Sequence, residues 1–440
     1  MMQGVGNIFK IPDLRKKIFF TLFMVVIYRL GTHIPTPGLN PQAVSVLLGQ
    51  MRGTVFGLYD LFVGGALARA SVFALGVMPY ISASIMFQIL GSVFPKLQKL
   101  QQDEEGRRKV NQYTRYFTVR PQKMPAAGIS VFLEGQPPVA LPDGRVVSLV
   151  SQTGFVLRLL TIFTLTTGTI FLMWIGELIT EKGIGNGISF LIFIGCLDRI
   201  PTDIGRTIQQ VAAGELSWFI LVVLVAVILF TFGAMVLMTQ AVRKIPVQYP
   251  KRVIGRRIYG GQSTFIPLRV NTAGVIPIIF AQSIMMIPGT VAAFLGKTNF
   301  TEGLQLLLQP GRPLYDGLYA LCIIFFAYFY TSMVFNPQDV ANNMKRMGGF
   351  VPGIRPGART AEYINTVLSR ITLPGAIFLA FVALMPWWLI KWLGVSFFFG
   401  GTTYLIIVGV ALDTIQQIES HLLMRSYEGL LKGSKIRGRR

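Results

Sequence analysis

Two histidines, His33 and His421, and two cysteines, Cys196 and Cys322, are all that 440 residues offer to a transition metal or a disulfide. A multi-His metal or haem centre needs more imidazoles. Both cysteines sit in apolar runs, where a thiol reads as a small buried hydrophobe. Acid is scarce as well, with 19 Asp and Glu against 41 Lys and Arg. So little titratable chemistry leaves few candidates for acid–base catalysis, and no Ser-His-Asp, zincin or kinase signature appears. No enzyme activity, cofactor or metal is expected. Charge of both signs is thin, at 14% of residues, where a soluble domain carries about a quarter. A signal-peptide cleavage site is also missing. Met1 to Lys17 is basic and amphipathic, and the apolar run Ile18 to Leu30 leads into Arg29-Leu-Gly-Thr-His33 rather than small residues.

What is present is apolar. Hydrophobic residues make up 52% of the chain and the mean hydropathy is +0.56. Runs long enough to cross a hydrocarbon core of roughly 30 Å predict helices near 18–34, 72–94, 154–176, 187–200, 216–239, 272–295, 317–335, 371–393 and 397–412, with a weaker tenth at 113–134. An N-terminus on the cytoplasmic side puts 29 of the Lys and Arg in inner segments and 7 in outer ones. The positive-inside rule therefore predicts both termini in the cytoplasm. The net charge of +22 is then topology-setting charge on short loops and not a nucleic-acid footprint. The weak span carries Arg120-Pro-Gln-Lys-Met-Pro125, a costly pattern in lipid. Without it every later loop changes side. It is expected to cross, with its charged stretch toward an aqueous vestibule or the cytoplasm and Ala126 to Leu133 at membrane depth.

Two pairs of segments repeat. Gly76-Val-Met-Pro-Tyr-Ile-Ser-Ala83 matches Gly274-Val-Ile-Pro-Ile-Ile-Phe-Ala281, and Gly187-Ile-Ser-Phe-Leu-Ile-Phe-Ile-Gly195 matches Gly401-Thr-Thr-Tyr-Leu-Ile-Ile-Val-Gly409. Each pair runs in opposite directions across the membrane, the pattern of inverted repeats whose Gly/Pro-interrupted helices meet at a central path. The alignment pairs Ile81 with Ile279 and Ile192 with Ile406. An apolar constriction suits a path that opens for something large and otherwise stays dry. No carboxylate, Lys or His lies near the middle of the nine stronger predicted spans, where an ion-coupled transporter would need one.

Gly183-Ile-Gly-Asn-Gly187 lacks the Gly-Lys-Ser/Thr ending and the preceding strand of a phosphate loop. Leu58 to Ala70 reads as a short half-apolar helix with a Gly-Gly hinge, either an outer-surface helix or a stopper folded into an outer cavity. The loop 240–270 carries seven Lys and Arg and no acid. Its alternating apolar and basic residues fit a protruding hairpin, suited to anionic lipid, RNA phosphate or an acidic partner. Phe350-Val-Pro-Gly-Ile-Arg-Pro-Gly357 adds a rigid turn presenting Arg355.

Phe73-Ala-Leu-Gly-Val-Met-Pro-Tyr-Ile-Ser-Ala-Ser84, Glu105-Gly-Arg-Arg108, Gln112-Tyr-Thr-Arg115, Ile179-Thr-Glu-Lys-Gly-Ile-Gly-Asn-Gly-Ile-Ser189, Gly255-Arg-Arg257, Ala273-Gly-Val-Ile-Pro277 and Pro352-Gly-Ile-Arg-Pro-Gly357 together resemble the SecY/Sec61-alpha family of protein-conducting channels. The resemblance implies an all-α polytopic protein of the bacterial cytoplasmic (inner) membrane. Its ten transmembrane helices would form two inverted pseudo-symmetric halves, 1–200 and 201–440. It implies a gated pore that passes unfolded secretory polypeptides, binds signal sequences and releases hydrophobic segments sideways into lipid. The pore ring falls on Val77, Ile81, Ile188, Ile192, Ile279 and Ile406. The plug falls on Leu58, Tyr59, Asp60, Leu61, Phe62, Val63, Gly64, Gly65, Ala66, Leu67, Ala68, Arg69 and Ala70. Lateral-gate positions are Ser82 and Asn271, and the partner contacts are Arg256, Arg257 and Arg355. Implied partners are the small membrane subunits SecE and SecG, the motor ATPase SecA, the ribosome, secretory and membrane-protein precursors, and lipid. Sequence-specific nucleic acid is not among them. The stretch 118–126 departs from the family, which is apolar there. The rival readings are an inverted-repeat secondary transporter for a small solute and a membrane-anchored nucleic-acid binder.

Overall fold

The computed structural model describes residues 11–50, 57, 59–60, 63–94, 97, 100, 104–141, 144–151, 153–249, 252–254, 257–259, 263–294, 303, 311–393 and 401–433. In chain order the elements are α1 (Pro12–Gly31), α2 (Pro41–Gln50), α3 (Met78–Val93), α4 (Glu104–Glu134), β1 (Val139–Ala140), β2 (Val146–Val147), α5 (Phe155–Lys182) and α6 (Gly187–Ala212). Then come α7 (Trp218–Gln240), β3 (Val242–Gln248), β4 (Arg252–Ile254), β5 (Arg257–Tyr259), β6 (Ser263–Arg269), α8 (Ile276–Phe294), α9 (Pro313–Val334), α10 (Pro337–Arg346), α11 (Ala358–Leu393) and α12 (Gly401–Gly433). Each predicted apolar run overlaps one of these helices. Among the described residues, four stretches are long and apolar enough to cross a membrane by length and composition alone: Phe155–Lys182, Trp218–Gln240, Pro313–Arg346 and Ala358–Trp392.

Two compact units divide the chain. The first comprises Met1–Arg206, Gly289–Gln305 and Ile406–Arg440, the second Thr207–Pro288 and Leu306–Leu405. In the first, Asn40 caps α2 by accepting from the backbone N–H of Gln42 at 3.0 Å, and Pro41 occupies the first helical position, where its missing N–H costs nothing. The core joins Val44 and Leu48 of α2, Leu67 and Leu75, Ala126 and Leu133 of α4, and Leu157 and Leu165 of α5.

Helix α4 holds the anomalous third predicted span in one helix. It continues unbroken from Glu104 through both prolines to Glu134. Its buried stripe is polar and small, with Thr114, Thr118, Gln122, Ala126 and Ser130 each at most 4% exposed. Such a stripe lets helices approach closely in lipid, where packing and hydrogen bonds replace the hydrophobic drive. Gln122 donates through Nε2 to the carbonyl of Leu165 on α5 at 3.4 Å, while Lys123 beside it is exposed.

Antiparallel α4 and α5 are clamped at both ends. Arg115 grips Glu177 (Nε–Oε1 2.7 Å, Nη2–Oε2 2.6 Å), and Arg158 grips Glu134 through Nε and Nη2, at 2.7 and 2.6 Å, on Oε2. The clamps stand 19 residues apart on both helices, which at 1.5 Å per residue is about 28 Å. That is close to the thickness of a hydrocarbon core, so the two charged pairs are spaced as a membrane-crossing hairpin would need.

Two expectations are corrected here. The second predicted span begins at 72, but α3 begins only at Met78, because Gly76 takes a left-handed φ of +54° that ends any helix upstream. Of the short helix expected at 58–70, residues 59 and 60 are helical, but 63–70 is a run of turns. Gly64 (φ +69°), Gly65 (φ +74°) and Ala70 (φ +48°) hold it there.

In the second unit, α7 buries only Leu224, Thr231 and Met235, as a helix facing lipid on most sides should. The hairpin expected within 240–270 is present. Strands β3 and β6 pair antiparallel from Val242↔Arg269 to Gln248↔Ser263, and β4 pairs with β5 from Arg252↔Tyr259 to Ile254↔Arg257. Along β3 the alternation places Ile245 and Val247 inside (2% and 1% exposed) and leaves Arg243, Lys244 and Gln248 outside.

Candidate functional site

The turn 63–70 sits in a frame made by the first unit alone. Its backbone is tied to the chain leaving α1 by Thr36 N–H donating to Ala70 O at 2.7 Å and Val72 N–H donating to Ile34 O at 3.0 Å. Asp60, 1% exposed, accepts from Ala68 N–H at 2.9 Å and closes the turn on itself. Tyr28 of α1 donates to Val63 O at 3.4 Å and stacks on Phe73, ring centroids 6.3 Å apart.

Against α6 the approach is closer. A Cβ on Gly64 would lie 2.8 Å from Cα of Gly195, so glycine at these positions is what lets the backbones touch. Ile188, Ile192 and Gly195 share one face of α6 by the 3.6-residue period. The turn meets that face at Gly195, and Ile188 packs its Cγ1 toward Gly176 of α5. Ile192 is 2% exposed and Ile188 half-buried. Val77 (6%) lies just before α3, and Ile81, half-buried, lies in its first turn. Ile406, 1% exposed, is on α12 in the first unit. Ile279, half-buried on α8, belongs to the second. Leu58, Leu61 and Phe62 lie outside the described residues. Ser82 is exposed on α3, its Oγ donating to Met78 O at 3.2 Å, and Asn271 is half-buried in the bend between β6 and α8.

The glycine-rich link 183–187 cannot cradle phosphate, because its N–H groups are spent. Ile184 donates to Thr21 Oγ1 (3.2 Å), Gly185 to Gln417 Oε1 (2.9 Å) and Gly187 to Thr180 Oγ1 (2.9 Å). Asn186 caps α6 by accepting from Ile188 and Ser189. The link is a joint that fixes α1, α5, α6 and α12.

A second surface lies in the second unit. The loops 240–270 and 335–370, separate in sequence, share one core of Ile245, Val247, Leu268, Met344, Val351 and Ile364. Gln248 and Phe350 exchange backbone hydrogen bonds of 2.9 and 3.0 Å. Helix α10, capped by Asn336 accepting from Gln338 N–H at 3.0 Å, was not anticipated, although Asn336-Pro337 repeats the Asn40-Pro41 signal. Arg355 is exposed in the turn before α11, and its carbonyl accepts from Thr360 Oγ1 at 3.0 Å. Arg257 opens β5; Arg256 lies outside the described residues. Lys244 lies 4.7 Å over the Phe265 ring, so the hairpin's outer face holds its cations in place.

Helix α6 extends past the predicted span to Ala212, which places Asp198 inside it rather than at its end. Arg29 and Arg69 both pair with that acid, so it offers no free carboxylate for ion coupling. No group of three or more metal-ligating side chains occurs among the described residues.

These features define a multi-pass helical membrane protein with a basic loop platform. The family profile of SecY matches residues 71–415. The SecY protein translocase subunit of Aquifex aeolicus is 44% identical over 434 residues, covering 98% of this chain and 100% of its own. That of Escherichia coli K12 is 44% identical, covering 97% and 96%, and that of Thermotoga maritima 44%, covering both chains fully. Among solved structures, one described as a protein conducting channel superposes with TM-score 0.62 at 17% identity, covering 94% of this chain and 96% of its own. Sec61 from a canine ribosome-channel complex gives 0.59 at 16%, covering 94% and 96%. The chain belongs to the SecY family.

Proposed function

We propose that this chain is the pore-forming subunit of the Sec protein translocase, a passive gated channel for unfolded polypeptide. It is not an enzyme and holds no cofactor. The observation that carries this is the turn 63–70 packed against Gly195 of α6, in a chain 44% identical to protein translocase subunits. Val77, Ile81, Ile188, Ile192, Ile279 and Ile406 form the seal, because large apolar side chains at a constriction exclude water. Residues 58–70 are the plug, and Ser82 and Asn271 mark the lateral gate through which hydrophobic segments pass into lipid. The fold has ten membrane-spanning helices in halves 1–200 and 201–440. It lies in the bacterial inner membrane with both termini cytoplasmic. Helix α4 crosses with Lys123 toward an aqueous cavity, since a lipid-facing lysine at mid-depth costs about 2.5–3.5 kcal/mol.

The basic platform is the docking face for SecA and the ribosome, with Arg256, Arg257 and Arg355 as contacts; SecE and SecG complete the complex. A solute transporter would need a free ionisable site, and Asp198 is not one.

The test is the double substitution Ile81→Gly with Ile192→Gly, reconstituted and measured for ion conductance. A severalfold leak and relaxed signal-sequence selectivity are expected. Unchanged conductance and selectivity would overturn the seal.

A further inference from the structure

Asp198 has no part in the pore ring, the plug or the loop platform, yet two arginines distant in sequence hold it within the first unit. It lies 11 residues past the start of α6, about 16 Å along the helix. Two arginines divide its carboxylate. Arg29 Nη1 of α1 is 2.6 Å from Oδ1, and Arg69 Nη2 of the turn is 3.2 Å from Oδ2. The two grips are unequal. Arg29 is anchored a second time, Nη2 donating to the carbonyl of Ile194 at 2.8 Å. Arg69 makes the longer contact, from a side chain 38% exposed against 28% for Arg29.

A carboxylate this far along a membrane helix must be paired, and a pair broken by losing one partner strands the other charge. Two cations on one anion avoid that. Arg69 can leave while Arg29 keeps Asp198 neutralised, so the turn can be released without a bare carboxylate remaining in the frame. The Gly64–Gly195 contact lies one helical turn away on the same helix, so releasing Arg69 frees the turn where it is already held by shape alone.

We propose that Asp198 is the positioning residue of a latch, with Arg69 its releasable half and Arg29 its permanent half. The latch holds the turn 63–70 closed over α6 until a translocating chain displaces it. This rests on the reading of that turn as the plug.

The experiment uses the full-length channel, purified with its co-purifying membrane subunits and reconstituted in planar bilayers. Arg69→Gln leaves the Arg29–Asp198 pair intact. It should raise resting open probability about two- to fivefold, the size of one partly exposed ion pair, without lowering the thermal unfolding temperature. Asp198→Asn, which also strips Arg29 of its counter-ion, should leak at least as much, and the double variant should leak no more than Asp198→Asn alone, because Arg69 then has no contact left to lose. Resting conductance equal to the parent in Arg69→Gln would overturn the latch, as would additive leaks in the double variant. A separate arm tests the underlying reading. With Cys196→Ala and Cys322→Ala as background, a short bis-maleimide joining R69C to D198C tethers the turn to α6. Arrested translocation supports the plug reading whatever the leak assays give. Normal translocation by the tethered channel would overturn that reading and the latch with it.

Discussion

In the first unit, Gly76 takes φ +54°, α3 starts two residues later, and Pro79 stands in its first turn. In the second, Gly274 takes φ +62°, α8 starts two residues later, and Pro277 stands in its first turn. The hydrogen bonds correspond as well. Tyr80 and Ile81 donate to Val77 O, both at 3.1 Å, and Ile278 and Ile279 donate to Val275 O at 3.1 and 3.4 Å. One local device is therefore written twice, and in both copies it places an isoleucine in the first turn of a membrane helix. The surroundings differ. A Cβ on Gly76 would meet Val63 at 3.0 Å, whereas no described atom lies within 4 Å of the same point on Gly274. Val77 is buried while Val275 is only half-buried. The local device is the same in both units, and in the first the Val63 end of the turn 63–70 packs against it.

The largest effect should come from Gly76→Ala. A left-handed alanine costs roughly 1–2 kcal/mol, and the methyl group must also push Val63 aside. The turn should loosen, with a lower unfolding temperature and a higher resting leak. Adding Val63→Ala should return part of that loss. Residues in contact couple by about 0.5–3 kcal/mol, so a strictly additive double variant would show that the valine does not press on the glycine. Gly274→Ala should cost only the backbone term, roughly 1–2 kcal/mol, with the resting leak unchanged. Equal leaks from the two glycine variants would erase the asymmetry. Smallest should be Pro277→Ala. A first-turn proline pre-sets its own φ and lacks an N–H that would be unbonded anyway, so a shift under about 1 kcal/mol in unfolding stability is expected.

The repeat was legible because Gly-x-x-Pro carries its conformation in the residue types themselves. The β3–β6 hairpin was legible for the same kind of reason, since alternation along 242–248 sets which side chains point inward. The turn 63–70 was misread as helix because Leu, Ala and Arg favour helix locally, and two consecutive left-handed glycines override them. Helix α4 looked broken by its prolines and charges. What it has instead is partnership with α5 through Glu177 and Arg158, 62 and 24 residues away in sequence. Arg29, Arg69 and Asp198 meet across 129 residues or more, and pairing at that separation leaves no periodicity to find. The shared core beneath the two basic loops was hidden likewise, although Asn336-Pro337 announced its helix.

The account stands on four isoleucines lining one polypeptide path. A photoreactive amino acid placed in turn at 81, 192, 279 and 406, with a ribosome-stalled secretory chain engaged, tests that directly. Crosslinks from all four positions to the same segment of the stalled chain are the predicted result. Crosslinks from 81 and 192 with none from 279 and 406 would contradict it, because the path would then run beside one half of the repeat and not through a ring made by both.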